Sequence, residues 1–176
     1  MPTEPPSAER PRWRAMAARD LEAVHRISAD VHPAHPERAE VLSDKLRLFP
    51  KGCFVLEAGG RIAGYCFSHP WTDGPPPPLD TLMTALPPSL CAYFVHDLTV
   101  DESVRGTGMG RALVPALLEA AQTAGFDRLV LVAVNNRGPF WQAAGFSVTP
   151  DEALQQAARA KYGAGAVHMQ IRLQKP

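Results

Sequence analysis

Cysteine is scarce in this chain. There are three in 176 residues, Cys53, Cys66 and Cys91, odd in number and without a C-x-x-C pair. That count excludes a disulfide framework and a zinc knuckle. Each lies in or beside an apolar stretch and reads as a small buried hydrophobe, not a nucleophile. Net charge is also missing: 18 basic and 18 acidic side chains cancel. The balance removes the electrostatic signature of a nucleic-acid binder or a polybasic membrane clamp. No apolar run approaches the ~18 residues that span a bilayer. Met1 to Pro11 holds four prolines and no apolar core of a secretory signal. The expectation is a soluble cytoplasmic protein with a flexible Pro-rich tail over 1–11 and one domain over 12–176.

Proline, by contrast, is plentiful, with 18 residues, seven of them between Pro70 and Pro88. The run Pro75 to Pro78 fixes φ and removes donors, so it belongs to neither a helix interior nor a central strand. It predicts a long stiff loop, within which Asp80 to Leu86 forms one short helix. Elsewhere the pattern alternates between strand and helix periods. Strands are predicted over Arg12 to Arg19, Cys53 to Glu57, Ile62 to Ser68, Tyr93 to Val100, Leu129 to Val134, from Gly145, and over Ala166 to Leu173. Helices are predicted after Asp20 as N-cap and over Pro36 to Leu48, Gly110 to Ala124, Pro139 to Ala144 and Asp151 to Tyr162. Pro115 should kink the helix it sits in. Together these elements form an α/β or α+β domain with a mixed sheet.

The stretch from Leu98 to Arg111 carries the chemistry. A strand ends, a polar turn follows, and Arg105-Gly106-Thr107-Gly108-Met109-Gly110 leads into an apolar helix. Glycine lets the backbone approach a ligand, and the free N–H groups of a first helical turn attract anions. The physical expectation is a phosphate or pyrophosphate at residues 105–110. The lysine of a Walker loop is absent, and G-x-G-x-G is a poor match to a dinucleotide fingerprint. An unrelated nucleotide or phosphate binder, and a turn that merely caps a helix, are the competing readings.

These residues resemble the GNAT superfamily of acyl-CoA N-acyltransferases. Arg105 to Gly110 match its R/Q-x-x-G-x-G/A loop, Leu98-Thr99-Val100 the strand before it, and Asn135-Asn136 with Phe140 to Phe146 its second block. The resemblance covers residues 93–148. It implies a mixed, mostly antiparallel sheet of about seven strands flanked by helices in a single domain. It implies acetyl-CoA as co-substrate and no metal. Arg105, Gly106, Thr107, Gly108, Met109, Gly110 and Arg111 would bind the pyrophosphate. Leu98, Thr99 and Val100 would pair with the pantetheine arm, and Asn135, Phe140 and Trp141 would complete the cofactor site. Strands 93–100 and 129–134 would splay apart to admit the arm.

The implied reaction is direct attack by a primary amine, with the N–H near Leu98 stabilising the oxyanion. An amine with a pKa of roughly 10.4 needs a base. His96, placed on the same face as Leu98 by ideal alternation, is that candidate, and a core histidine is the competing reading. Asp97, on the opposite face by the same rule, would orient a neighbour or bind a substrate cation. Where many family members have a tyrosine acid this chain has Trp141, which leaves Tyr162, Tyr93 or water for that role. A thiolate with a pKa of about 8.5 leaves tolerably without an acid. His32-Pro33-Ala34-His35 lacks a third partner for a metal. The acceptor is a small-molecule or peptide amine, with no nucleic acid or membrane partner, and the protein is a monomer or homodimer. The alternative is a non-catalytic acyl-CoA sensor or interaction domain of the same fold.

Overall fold

A hairpin turn at Gly59-Gly60, both at positive φ, joins strands β2 (Cys53–Ala58) and β3 (Arg61–Trp71), and the sheet extends outward from that pair. The computed structural model describes residues 10–33 and 36–173; most of the tail expected over 1–11 lies outside them. Strand β1 (Arg12–Ala15) adds antiparallel to β2, and β4 (Ala92–Val100) antiparallel to β3. β5 (Arg128–Ala133) runs parallel to β4, and β7 (Val167–Arg172) is antiparallel to β5. β6 (Ser147–Val148) closes the far edge, giving the order β1-β2-β3-β4-β5-β7-β6. One domain with a seven-stranded, mostly antiparallel sheet is what the sequence implied.

Helices cover both faces. On one, α1 (Leu21–Val31) and α2 (Ala39–Leu48) bury Val24, Ile27 and Leu42 against Val55, Tyr65 and Phe67. On the other, α3 (Met109–Ala112), α4 (Val114–Thr123) and α5 (Gly138–Ala143) bury Leu113, Leu117 and Trp141 against Tyr93, Val95 and Leu131. Each such side chain contributes about 1.5–3 kcal/mol through burial. α6 (Glu152–Tyr162) packs beside β7 with Leu154 and Ala158 inward. No helix among the described residues is long and apolar enough to cross a membrane.

Four local expectations change. The first strand stops at Ala15 because the buried Asp20 carboxylate takes the Arg14 guanidinium, at 2.7 and 2.9 Å, and the Ala17 N–H. Asp20 therefore folds a 3-10 turn before α1 and does not cap the helix. No helix forms over Asp80 to Leu86, where Asp80 and Thr84 have positive φ. Instead Asp44 of α2 accepts the N–H groups of Met83 and Thr84, and Asp80 accepts from Arg38. The helix over 110–124 breaks at Leu113, since Pro115 has no N–H to give. Finally, β3 continues through Pro70 to Trp71. Past Phe67 it pairs with β4 alone, so a residue without an N–H fits there.

Candidate active site

The centre of the sheet is forked. Pairing between β4 and β5 ends at Val95 and Leu131, although both strands continue. At the same level β4 bulges: Phe67 lies opposite Asp97 and Ser68 opposite Val95, which leaves His96 as the extra residue. A bulge resets the alternation of side chains. Phe94 and His96 face the α1/α2 side, where both rings meet that of His69. Asp97 faces that side too, its carboxylate accepting the Tyr65 hydroxyl at 2.6 Å. Leu98 packs on the opposite face with the Val95 cluster. The expected grouping of His96 with Leu98, and of Asp97 away from His96, is thus reversed by one inserted residue.

His96 is held by a single bond, from its Nδ1 to His69 Nε2 at 3.0 Å. Its Nε2 is buried and has no partner among the described residues. Burial keeps His96 well below the usual histidine range, and the charge of Lys45 adds to this. His69, bonded through Nδ1 to the Pro70 carbonyl, is pushed down to about 4 by burial, with Lys45 also lowering it. Lys45 rises from α2 into this region. Its Nζ lies 2.5 and 2.7 Å from the buried Glu37 carboxylate and 5.6 Å from the centre of the Phe67 ring.

Beside the histidines, Asp97 also accepts the Thr99 hydroxyl at 3.0 Å and lies 3.9 Å from His32 Nε2. Burial, and next the Asp97 charge, raise Tyr65 well above its ordinary range. Tyr162, the last residue of α6, donates to the Pro77 carbonyl at 2.8 Å. Burial and the charges of Glu37 and Asp97 raise its hydroxyl as well. Tyr162 lines a cavity of about 220 Å³ with Val134, Asn135 and Asn136, at the end of β5. The cavity thus lies at the end of β5, one arm of the fork, and Tyr162 ties α6 there to the proline loop.

Beyond β4 the chain turns through Glu102–Val104 into the glycine segment. Asp101 anchors that turn through Ser103 N–H and Arg61. Gly106 and Gly108 have φ of 74° and 84°, and a Cβ at either would meet nothing within 4 Å. Their backbone is shaped for glycine and open to a ligand. Gly110 is different, since a Cβ there would lie 3.3 Å from the Phe140 ring. Trp13 of β1 pins the segment by donating to the Met109 carbonyl at 2.8 Å. Arg105 and Arg111 are exposed beside it.

Residues 16–146 match the profile of the acetyltransferase (GNAT) family. The chain belongs to that family. No curated protein matches it in sequence. Solved structures match its fold throughout. Ard1 from Thermoplasma volcanium has a TM-score of 0.67 at 18% identity, covering 93% of this chain and 98% of its own. Arabidopsis thaliana Naa50, solved with a bisubstrate analogue CoA-Ac-MVNAL, has 0.64 at 13%, covering 93% and 99%. A GNAT-like decarboxylase, GphF, solved with isobutyryl-CoA, has 0.71 at 20%, covering 93% and 100%.

Within this GNAT fold most of the residues expected at the site lie together. Leu98, Thr99 and Val100 form the arm of the fork, and 105–111 the turn that follows. Asn135, at positive φ, stands at the end of β5, and Phe140 sits against Gly110. Trp141 is the exception. Its ring is buried between Phe140 and Phe146, with centroids at 5.0 and 5.2 Å, so it belongs to the core and not to the cleft surface. Tyr93 is equally remote from the cleft, its hydroxyl locked to Ser68 in the interior. Cys53 and Cys66 are buried, and burial pushes the Cys53 thiol up to about 12 and Cys66 well above its ordinary range. Among the described residues no group of three metal-ligating side chains forms, and His35 lies outside them. His69 and Lys45 carry no sequence signal, because only the strand register and the docking of α2 bring them to His96.

Proposed function

We propose that the protein is an acetyl-CoA-dependent N-acetyltransferase acting on a primary amine of a small molecule or peptide. The observation that carries this reading is the fork. One arm ends in an open glycine turn, and a buried histidine nitrogen without a partner stands at its base. The backbone of Arg105 to Arg111 would hold the pyrophosphate, with the two arginines adding charge. Leu98, Thr99 and Val100 would pair with the pantetheine arm in the gap left by β5. Asn135 and Phe140 would border it. The neighbours solved with CoA-containing ligands support coenzyme A as the co-substrate.

In the reaction, the acceptor's ammonium group first gives one proton to solvent. His96 Nε2, too weak a base when buried to hold that proton at rest, draws off the remaining acidic one only as the C–N bond forms and the nitrogen becomes positive. The freed amine forms a C–N bond to the thioester carbon, and the Leu98 N–H stabilises the oxyanion. The C–S bond then breaks, and the second proton of the nitrogen ends on the departing sulfur. Tyr162 would hydrogen-bond that sulfur by releasing the Pro77 carbonyl, whereas the Tyr93 hydroxyl is held by Ser68 in the interior. Asp97, on the same face as His96, would attract the cationic acceptor. With Trp141 in the core and no tyrosine in its place, binding without turnover is the second reading.

Calorimetric titration with coenzyme A and acetyl-CoA tests the first step, with Gly108→Trp as control. Micromolar binding that the variant loses supports the cofactor site, and absence of binding to either ligand overturns the proposal. Binding with no acetyl transfer across a panel of amines favours the sensor reading.

A further inference from the structure

His69 of β3 meets His96 from the neighbouring strand, and its bonds leave only one arrangement of protons. The Pro70 carbonyl, 2.9 Å from His69 Nδ1, is an acceptor only, so Nδ1 carries the hydrogen. The ring is buried among Trp71, Phe94 and His96, and the positive charge of Lys45 on α2, which lies over Phe67, acts on it. A second proton on His69 is therefore disfavoured, and its Nε2 is left as an acceptor. His96 Nδ1, 3.0 Å away, must then donate to it. A neutral imidazole has one hydrogen to place. With that hydrogen on Nδ1, His96 Nε2 is bare, and it is this atom that is buried without a partner.

We propose that His69 is a positioning residue that fixes His96 in its Nδ1–H tautomer and so presents an unprotonated Nε2 to the acceptor nitrogen. The chain Pro70 carbonyl, His69, His96 then runs in one direction, each group donating to the one before it. Its catalytic consequence rests on the acyl-transfer reading of the site; the tautomer itself does not. When His96 Nε2 takes the proton, the ring becomes a cation whose Nδ1–H bond to His69 strengthens, as charge-assisted bonds do. His69 acts through His96 and does not touch substrate. The other charged groups near the pair, Glu37 on Lys45 and Asp97 held by Tyr65 and Thr99, are occupied with their own partners.

The test is a long-range proton–nitrogen correlation spectrum of the imidazole rings at neutral pH, with His96 assigned through His96→Gln. The full-length wild type should show hydrogen on Nδ1 and an unprotonated Nε2. His69→Phe removes the acceptor and should move the hydrogen to Nε2, whereas His69→Gln retains an accepting oxygen and should preserve the wild-type form. In acetyl transfer, His69→Phe should lower kcat by about tenfold with KM for acetyl-CoA unchanged, less than the ~10²–10⁴ of a direct acid–base group. Hydrogen on His96 Nε2 in the wild type overturns the proposal, as does an unaltered tautomer in His69→Phe. If that variant does not fold, the wild-type and His69→Gln spectra still decide. Failure of acetyl transfer with the Nδ1–H form intact overturns the transfer reading and leaves the tautomer standing.

Discussion

Lys45 and Glu37 form a buried ion pair directly behind the paired histidines, with Nζ 2.5 and 2.7 Å from the two carboxylate oxygens. Charges taken out of water depend on each other, so removing one partner leaves the other exposed to the full desolvation penalty. Lys45→Met or Glu37→Leu alone should cost about 3–5 kcal/mol. The double variant should recover most of that loss. Urea unfolding of the three proteins checks it, and a double variant as unstable as the singles contradicts the argument.

Acid should destabilise the protein well before its carboxylates titrate. His69 and His96 are neutral when folded, and burial holds both below the ordinary histidine value; His168 shifts the same way. Between about 6.5, where an unfolded histidine takes a proton, and the folded His69 value of about 4, the unfolded chain binds more protons. Stability is therefore full above pH ~6.5 and declines as the pH falls through that window. Asp20, Asp44 and Asp101, held low by their partners or hydrogen bonds, extend the decline to lower pH. Urea midpoints measured from pH 8 to 4 should fall, and His69→Gln should flatten the upper part of the slope.

Gly52 should tolerate no side chain. A Cβ there would lie 2.0 Å from the Ser68 carbonyl oxygen and 2.5 Å from the Tyr93 hydroxyl, where the turn before β2 passes under β3. Gly52→Ala should cost about 3 kcal/mol or more. Gly106→Ala meets no atoms and strains only the backbone, so it should stay folded within roughly 1–2 kcal/mol while weakening coenzyme A. Thermal melts with and without coenzyme A separate the two effects.

Turnover variants divide by role. His96→Ala should lower kcat by about 10²–10⁴ and leave coenzyme A affinity unchanged. Tyr162→Phe should lower kcat by roughly tenfold, the share of one hydrogen bond to a developing anion, about 1.4 kcal/mol. Equal activity in Tyr162→Phe would remove that residue from the mechanism.

Local signals in the sequence were sufficient for the presence and order of the strands, though not for the ends of β1 and β3, and for the glycine turn and the kink at Pro115. Each depends on residues close together in the chain. The site's orientation was not legible in the same way. Alternation along Tyr93 to Val100 grouped His96 with Leu98, because a bulge is set by register against β3 and leaves no mark in β4 alone. Trp141 read as a cleft residue because its position in the motif says nothing about which face of α5 is buried. The segment Asp80 to Leu86 read as a helix because its backbone partners, Asp44 and Arg38, lie on a different element.

The fork divides the sheet into two panels. β1 to β4 form one and β5, β7 and β6 the other, and the seam between them is three paired residues long, from Tyr93–Leu129 to Val95–Leu131. An extended guest laid into the notch would act as a suture across that seam. Beyond that short seam the two panels would be joined only through the guest, and the stiffness of this part of the sheet would be a property of the complex.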